Sequence, residues 1–234
     1  SHQRCLETLV EKMDYAALRE EQAELRAQGI YRGIGIASFI KGTAPGPHGY
    51  YGAGGAFIAS QDACTIKLEP SGGVICSVGV TDQGQGVDTV MGQIAAAALG
   101  IPIESIRVIE GDTEKLSWGT GTGAARTATI AGTAVYKAVD KVIEKATRIA
   151  AHLLEAADAD IEFGDGVFTV SGTDRTVPFL DVAQTAFKPN MLPPDIEIGL
   201  YETATWSPEV QNIPNSSHVC ELDIDPDTGV IEIV

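Results

Sequence analysis

The sequence predicts an α+β fold, and three observations carry that expectation. Apolar and polar residues alternate in paired short runs joined by glycine- and proline-bearing turns, the signature of hairpins. Two longer stretches, 6–28 and 127–156, place apolar residues at helical spacing instead. Strands and helices do not succeed one another as regular βαβ units, which favours α+β over a doubly wound sheet.

Each element follows from its residues in order. Leu6, Leu9, Val10, Met13 and Ala17 keep helical spacing, and Gly29 suits the position just past a helix end, so one amphipathic helix is expected over 6–28. Residues 30–40 read as strand, and the glycine-rich run 42–55 as a loop. Cys64, Ile66 and Leu68 alternate with Thr65, Lys67 and Glu69. Pro70-Ser71-Gly72-Gly73 turns the chain, and Val74 to Val80 returns. A helix over 89–99 stops at Gly100 and Pro102, and Ile106 to Glu110 is a short strand. In the long helix, Ile130, Ala134, Ala138 and Val142 form a small-residue stripe suited to close packing. A hairpin over 160–170 turns on Gly164-Asp165-Gly166, and Pro178 opens a helix over 179–186. After a Pro-rich linker at 189–194 come strands at 196–205, 217–224 and 229–234, the last two joined by Asp225-Pro226-Asp227-Thr228-Gly229. The expected organisation is a helix and linker over 1–29, then a domain over 30–234 with lobes 30–188 and 195–234. The chain stops inside an apolar alternating run, Val230 to Val234, which reads as a cut at a domain boundary.

With 44% apolar residues among 234, a substantial core is expected. The net charge of −16 is spread along the chain and argues against nonspecific binding to nucleic acid or anionic membrane. It leaves room for a phosphate-bearing ligand held by backbone amides. Cys5, Cys64, Cys76 and Cys220 form no Cys-x-x-Cys pair. The last three sit on the apolar side of alternating runs and read as buried thiols in a reducing compartment. His2, His48, His152 and His218 are scattered, unlike the ligands of a histidine-built zinc site. No run is apolar enough to span a bilayer.

Two glycine turns stand out. Gly84-Gln85-Gly86-Val87-Asp88-Thr89 follows a strand and opens a helix. Gly119-Thr120-Gly121-Thr122-Gly123-Ala124-Ala125-Arg126-Thr127 opens the longest helix. Missing Cβ atoms let a ligand approach backbone, and bare amide N–H groups at a helix start suit phosphate. Gln85 offers a donor and an acceptor, fit for a flat heterocycle edge or a metal oxo group; a turn that only caps the helix is the plain alternative. Arg126 pairs either a phosphate or a surface carboxylate. Gly33-Ile34-Gly35 lacks the third glycine and acidic partner of a dinucleotide fingerprint. No Walker loop, Gly-x-Ser-x-Gly or His-Glu-x-x-His occurs.

Taken together, the motifs resemble a known family. They are Thr81 to Thr89, Gln93-Ile94-Ala95, Leu99-Gly100-Ile101-Pro102, Glu110-Gly111-Asp112-Thr113, Gly121 to Arg126 and Ala131-Gly132-Thr133-Ala134-Val135. They are flanked by Gly29-Ile30-Tyr31-Arg32-Gly33-Ile34-Gly35 and Asp223 to Gly229. In order and spacing this run resembles the molybdopterin-binding large subunit of the xanthine oxidase, aldehyde oxidase and carbon monoxide dehydrogenase family, across nearly the whole chain. The bacterial carbon-monoxide-dehydrogenase-like and aldehyde-oxidase-like branches are the nearest in pattern.

The resemblance implies a molybdopterin cofactor with molybdenum, in the cytosine dinucleotide form common in bacteria. It implies FAD and [2Fe-2S] clusters on partner subunits, a dimer of heterotrimers, and a bacterial cytoplasmic setting. It maps cofactor contacts onto Gly84, Gln85 and Gly86, and onto Gly123, Ala124, Ala125, Arg126 and Thr127, with no direct metal ligand. Carbon monoxide dehydrogenases carry Gly-Ser-Arg-Ser at the second turn, where this chain has Ala124-Ala125-Arg126-Thr127. The chemistry implied is oxidative hydroxylation of an aldehyde, an N-heterocycle or a carbon-monoxide-like substrate, with water as oxygen source. The family's general-base glutamate sits in a Gly-x-Gly-Glu stretch, and its substrate-side loop lies upstream; neither is in this sequence, and Cys5 is not that loop's cysteine. The chain therefore reads as an internal fragment of the large subunit, inactive alone, with no catalytic residue of its own. The alternative is a non-catalytic cofactor-binding or assembly module of the same fold.

Overall fold

The computed structural model describes residues 1–44, 50–51, 56–57, 60–116, 118–210 and 212–234. In chain order its elements are α1 (His2–Lys12), α2 (Tyr15–Ala27), β1 (Tyr31–Ile40), β2 (Tyr50–Tyr51), β3 (Ala56–Phe57), β4 (Asp62–Leu68), β5 (Val74–Val78), α3 (Val87–Leu99), β6 (Ile106–Glu110), α4 (Gly132–Leu153), β7 (Ile161–Gly164), β8 (Val167–Val170), β9 (Thr176–Pro178), α5 (Phe179–Thr185), β10 (Tyr201–Trp206), β11 (Asn215–Ile224) and β12 (Ile231–Ile233). Helices and strands mix as the alternation and spacing predict. Most of the glycine-rich loop at 42–55, with His48, lies outside the described residues.

The chain forms two compact units, Ser1–Thr43 with Asn212–Val234, and Ala44–Gln211. This division differs from the expected boundaries at 29/30 and 188/195. The reason is antiparallel pairing of β1 with β11, from Tyr31 opposite Ile224 to Ile40 opposite Asn215, which joins sequence-distant segments in one sheet. β12 extends that sheet through Leu222 opposite Ile233.

In this unit the expected helix over 6–28 is two helices. Asp14 divides them: its backbone is left-handed (φ 47°), and its carboxylate accepts the Ala17 N–H at 3.3 Å to cap α2. The apolar periodicity runs across that break, so spacing alone hid it. Arg32 clamps Asp223 with two hydrogen bonds of 2.8 and 2.9 Å and reaches Glu21 at 3.0 Å. The clamp holds the Asp223 carboxyl below the usual carboxylate range. Cys220 was expected to be buried and is exposed. Its cross-strand partner is Gly35, which has no side chain to cover it.

The second unit is built on a sheet in the order β10-β4-β5-β6, antiparallel except for β5 and β6. The parallel pair needs a crossover, which α3 supplies. The unit thus contains one βαβ step, and its β-to-α junction is the first glycine turn. Cys64, Ile66, Leu68, Cys76 and Val78 are fully buried beneath α3 and α4. Burial pushes the Cys64 thiol well above its ordinary range, which keeps it protonated and inert. The stripe of Ile130, Ala134, Ala138 and Val142 is wholly buried as expected. A Cβ on Gly132 would stand 2.8 Å from Ile94 Cδ1, a measure of how closely α4 meets α3.

Two local features differ from or refine the expectation. The long helix does not start as α: Thr127–Ala131 is a wide π turn, and α4 follows it. The β7–β8 turn has positive φ at both Asp165 (48°) and Gly166 (73°), as a tight hairpin of this hand requires.

Candidate functional site

The first glycine turn leaves β5 at Val78 and reaches α3 at Val87. Val80 is fully buried and anchors the exit. Asp82 then organises the turn: its Oδ1 accepts N–H groups from Gly84 at 3.1 Å, Gly86 at 3.0 Å and Val87 at 3.5 Å. An aspartate two residues ahead of a glycine closes an Asx turn, here extended into a helix cap. Partial desolvation pushes the Asp82 carboxyl up, but hydrogen bonds from Val87, Gly84 and Gly86 outweigh it and hold the group below the usual range. The sequence motif predicts bare amides at this helix start. The structure fills them with the chain's own carboxylate, so an external phosphate has to find its donors elsewhere.

Gly84 (φ 99°) and Gly86 (φ 75°) occupy backbone conformations that favour glycine. Between them, Gln85 Oε1 accepts the Gln83 N–H at 2.6 Å. That contact engages the carbonyl end of the amide. Among the described residues the Gln85 Nε2 has no acceptor, so the side chain presents a donor.

The second turn packs directly on the first. A Cβ on Gly79 would lie 2.3 Å from Gly119 Cα and 2.5 Å from Asp62 Oδ1, so these two backbones meet only because neither residue carries a side chain. Gly121 donates its N–H to Gly79 O at 3.2 Å. The Thr122 hydroxyl accepts the Thr81 N–H at 3.0 Å and donates to Thr81 O at 2.6 Å. Thr127 Oγ1 donates to Thr122 Oγ1 at 3.4 Å. Ala124 (φ 47°) and Ala125 (φ 51°) are consecutive left-handed residues with side chains, a strained arrangement at the centre of the turn. Beside the junction a cavity of about 230 Å³ is lined by Gly79, Thr81, Gly111, Asp112, Leu116 and Gly119.

Arg126 is 1% exposed, and its side chain runs inward. Nη1 donates to Asp62 Oδ2 at 2.9 Å and to Gly121 O, while Nη2 donates to Gln61 O at 2.6 Å. Burial pushes the Asp62 carboxyl up; the Ala63 N–H and the Arg126 guanidinium pull it part of the way back. In place of the surface ion pair, Arg126 makes a buried one with Asp62, and among the described residues its Nε has no hydrogen-bond partner. Since Arg126 is the only cationic residue in either turn, the pair of turns offers an anion backbone and amide donors and no free positive side chain.

The eight residues singled out from sequence therefore fall into three groups. Gly84, Gln85, Gly123 and Ala125 are exposed. Gly86, Ala124 and Thr127 are half-buried beside them, and Arg126 is buried against Asp62. Among the described residues, a Cβ built on Gly84, Gly86, Gly121 or Gly123 meets nothing within 4 Å, so the backbone there is open. Sequence reading missed Asp82, Thr122, Gly79 and Asp62. Asp82 carried a signal, the Asp-x-Gly spacing, and so did Asp62, an acid in period-two register with the apolar face of Cys64, Ile66 and Leu68. Thr122 and Gly79 meet their partners only in three dimensions.

Two glycine turns, the first at a βαβ junction, thus pack together through the Gly79–Gly119 contact and the Thr122–Thr81 hydrogen bonds. Residues 8–234 match the model of the molybdopterin cofactor-binding domain, and the chain belongs to that family. It is 34% identical, over 97% of its length, to the nicotine 6-hydroxylase large subunit of Paenarthrobacter nicotinovorans. It is 35% identical, again over 97%, to the carbon monoxide dehydrogenase large chain of Hydrogenophaga pseudoflava. The chain spans 28% of the length of each of these relatives. Among solved structures it superposes on quinoline 2-oxidoreductase from Pseudomonas putida 86 with a TM-score of 0.82 and 31% identity, covering 100% of this chain and 30% of that one. Against a Cu,Mo-CO dehydrogenase the TM-score is 0.81 at 32% identity, covering 98% and 29%.

Proposed function

We propose that this chain supplies part of the molybdopterin cradle of a molybdenum hydroxylase large subunit. The enzyme would oxidise an aldehyde or N-heterocycle, or a carbon-monoxide-like substrate, with water as the oxygen source. The observation that supports this reading is the open backbone at Gly84, Gly86, Gly121 and Gly123, where a Cβ would meet no described residue within 4 Å and a flat, phosphate-bearing ligand can approach closely. When bound, the molybdenum cofactor supplies the two-electron chemistry of hydroxylation. The chain's own residues bind and orient. Gln85 donates from Nε2 to an acceptor on the ligand. The turn at Gly123 to Thr127 offers backbone N–H groups, with Arg126 holding that backbone from behind rather than touching an anion. Asp82 keeps the first turn closed and its helix start neutralised. The general base belongs to a glutamate outside these residues, and the isolated chain turns over no substrate. The cytosine dinucleotide form of the cofactor, partner subunits carrying FAD and [2Fe-2S] clusters, assembly as a dimer of heterotrimers and a cytoplasmic setting complete the proposal.

The test is to express the native gene with its neighbouring genes and assay the purified protein. Molybdopterin is read as its fluorescent oxidation product, the nucleotide as released CMP, and activity on a panel of aldehydes, N-heterocycles and carbon monoxide. Gln85→Ala is expected to lower molybdenum occupancy or turnover while leaving thermal stability unchanged. Protein free of molybdopterin would overturn the reading.

A further inference from the structure

We infer that Thr122 is a positioning residue that sets the two glycine turns in register with each other. The inference rests on the cofactor reading above and adds a residue outside the sites assigned to it. The observation is a two-way hydrogen bond. One hydroxyl accepts the Thr81 N–H at 3.0 Å and returns its own proton to Thr81 O at 2.6 Å. A single side chain of the second turn thereby fixes both polar groups of one peptide residue in the first. Thr81 stands immediately before Asp82, whose carboxylate gathers Gly84, Gly86 and Val87. Displacing Thr81 displaces the Asp82 hub, and with it the frame that carries Gln85.

Neighbouring contacts show that this is a seam rather than an isolated bond. Gly79 and Gly119 touch backbone to backbone one step away, and Gly121 donates to Gly79 O. On the far side Thr127, at the start of the π turn, donates to the same Thr122 hydroxyl. Thr122 thus sits where the strand exit, the first turn and the start of the long helix converge. The Gly79–Gly119 contact sets how near the turns lie, and the Gly121–Gly79 hydrogen bond pins their register at one point. The paired donor and acceptor at Thr122 add a second fixed point, because sliding in either direction lengthens at least one of the two bonds.

Serine keeps the hydroxyl that this role requires, and valine keeps the shape without it. The experiment compares wild type, Thr122→Ser and Thr122→Val in the holoenzyme made from the native gene, by amide hydrogen exchange and by molybdopterin retention on dilution. For Thr122→Val, exchange is expected to rise about tenfold in peptides from both turns, Thr81–Gly86 and Gly119–Arg126, as loss of two net hydrogen bonds allows. Molybdopterin loss is expected to accelerate in parallel, with the thermal midpoint shifted by only a few degrees. Thr122→Ser is expected to match wild type in both readouts, a rescue that a volume effect would not produce. Unchanged exchange in Thr122→Val, a rise confined to one turn, or failure of serine to rescue overturns the positioning role while a loaded wild type leaves the cofactor reading standing. A wild type without molybdopterin overturns both.

Discussion

Arg126 and Asp62 face each other at 2.9 Å with both side chains out of water, joining the second glycine turn to the first residue of β4. The pair works through geometry. The same guanidinium that neutralises Asp62 also holds Gly121 O and Gln61 O, so one side chain ties a strand start to a loop. Removing one partner leaves an uncompensated charge in the interior, which costs far more than the pair contributes against an apolar replacement. Arg126→Met and Asp62→Leu are each expected to destabilise the protein by about 3–5 kcal/mol. The double substitution is expected to cost markedly less than their sum. Urea unfolding of the four proteins gives the coupling directly, and additive losses would show that the charges are solvated.

A second prediction concerns acid. The Asp82 carboxyl is held below its unfolded value by the amides it accepts. Such a group contributes stability above its unfolded pKa of about 3.9, and that contribution disappears as pH falls through the lower folded value. Asp223, clamped by Arg32, titrates in the same direction, so the wild-type curve alone does not isolate Asp82. The difference between wild type and Asp82→Asn does. Their thermal midpoints are expected to differ most near neutral pH and to converge as pH is lowered below about 4. A constant difference across that range would mean that Asp82 acts through shape and not charge.

Two glycines in the same region should respond oppositely to alanine. At Gly79 a methyl group would sit 2.3 Å from Gly119 Cα, a backbone atom that cannot swing aside. Gly79→Ala is expected to cost about 3 kcal/mol or more, at the upper end of overpacking effects. At Gly123 a methyl group meets no described residue within 4 Å. Gly123→Ala should leave unfolding unchanged within about 0.5 kcal/mol and yet reduce molybdopterin content, because the space it enters is the space proposed for the ligand. Chemical unfolding and cofactor assay on both variants separate packing from binding. Full cofactor content in Gly123→Ala would remove that residue from the site.

These pairs also mark how far the sequence could be read. Period-two and helical spacing located β4, β5, α3, β6 and the stripe of α4, because those patterns record which face meets the core. The glycine turns were visible as turns, since positive φ at Gly84, Gly86 and Gly121 selects residue type locally. What spacing does not record is pairing at a distance. The β1–β11 ladder that regroups the chain, the Arg126–Asp62 pair and the Thr122–Thr81 seam each join residues whose neighbours in sequence give no sign of the partner. The break at Asp14 was hidden for another reason: a left-handed aspartate interrupts hydrogen bonding without interrupting the apolar periodicity.

Ala124 and Ala125 carry the last prediction. Both hold φ near +50°, where a Cβ crowds its own carbonyl at a cost of about 1–2 kcal/mol per residue. The turn is over-determined around them. Arg126 grips Gly121 O from within, the Arg126 N–H donates to Gly123 O at 3.0 Å, and the Ala44 N–H donates to Ala124 O at 3.4 Å. Glycine would adopt the same backbone without crowding, offset in part by the entropy it carries in the unfolded chain. Ala124→Gly with Ala125→Gly is therefore expected to raise stability by about 0.5–1 kcal/mol. The same change loosens the segment whose amides are proposed to face the ligand, so molybdopterin retention should fall as unfolding becomes harder. Opposite movement of the two readouts would identify the strain as a device for holding the turn in its binding shape. Movement in the same direction would make it an incidental cost of closing the loop.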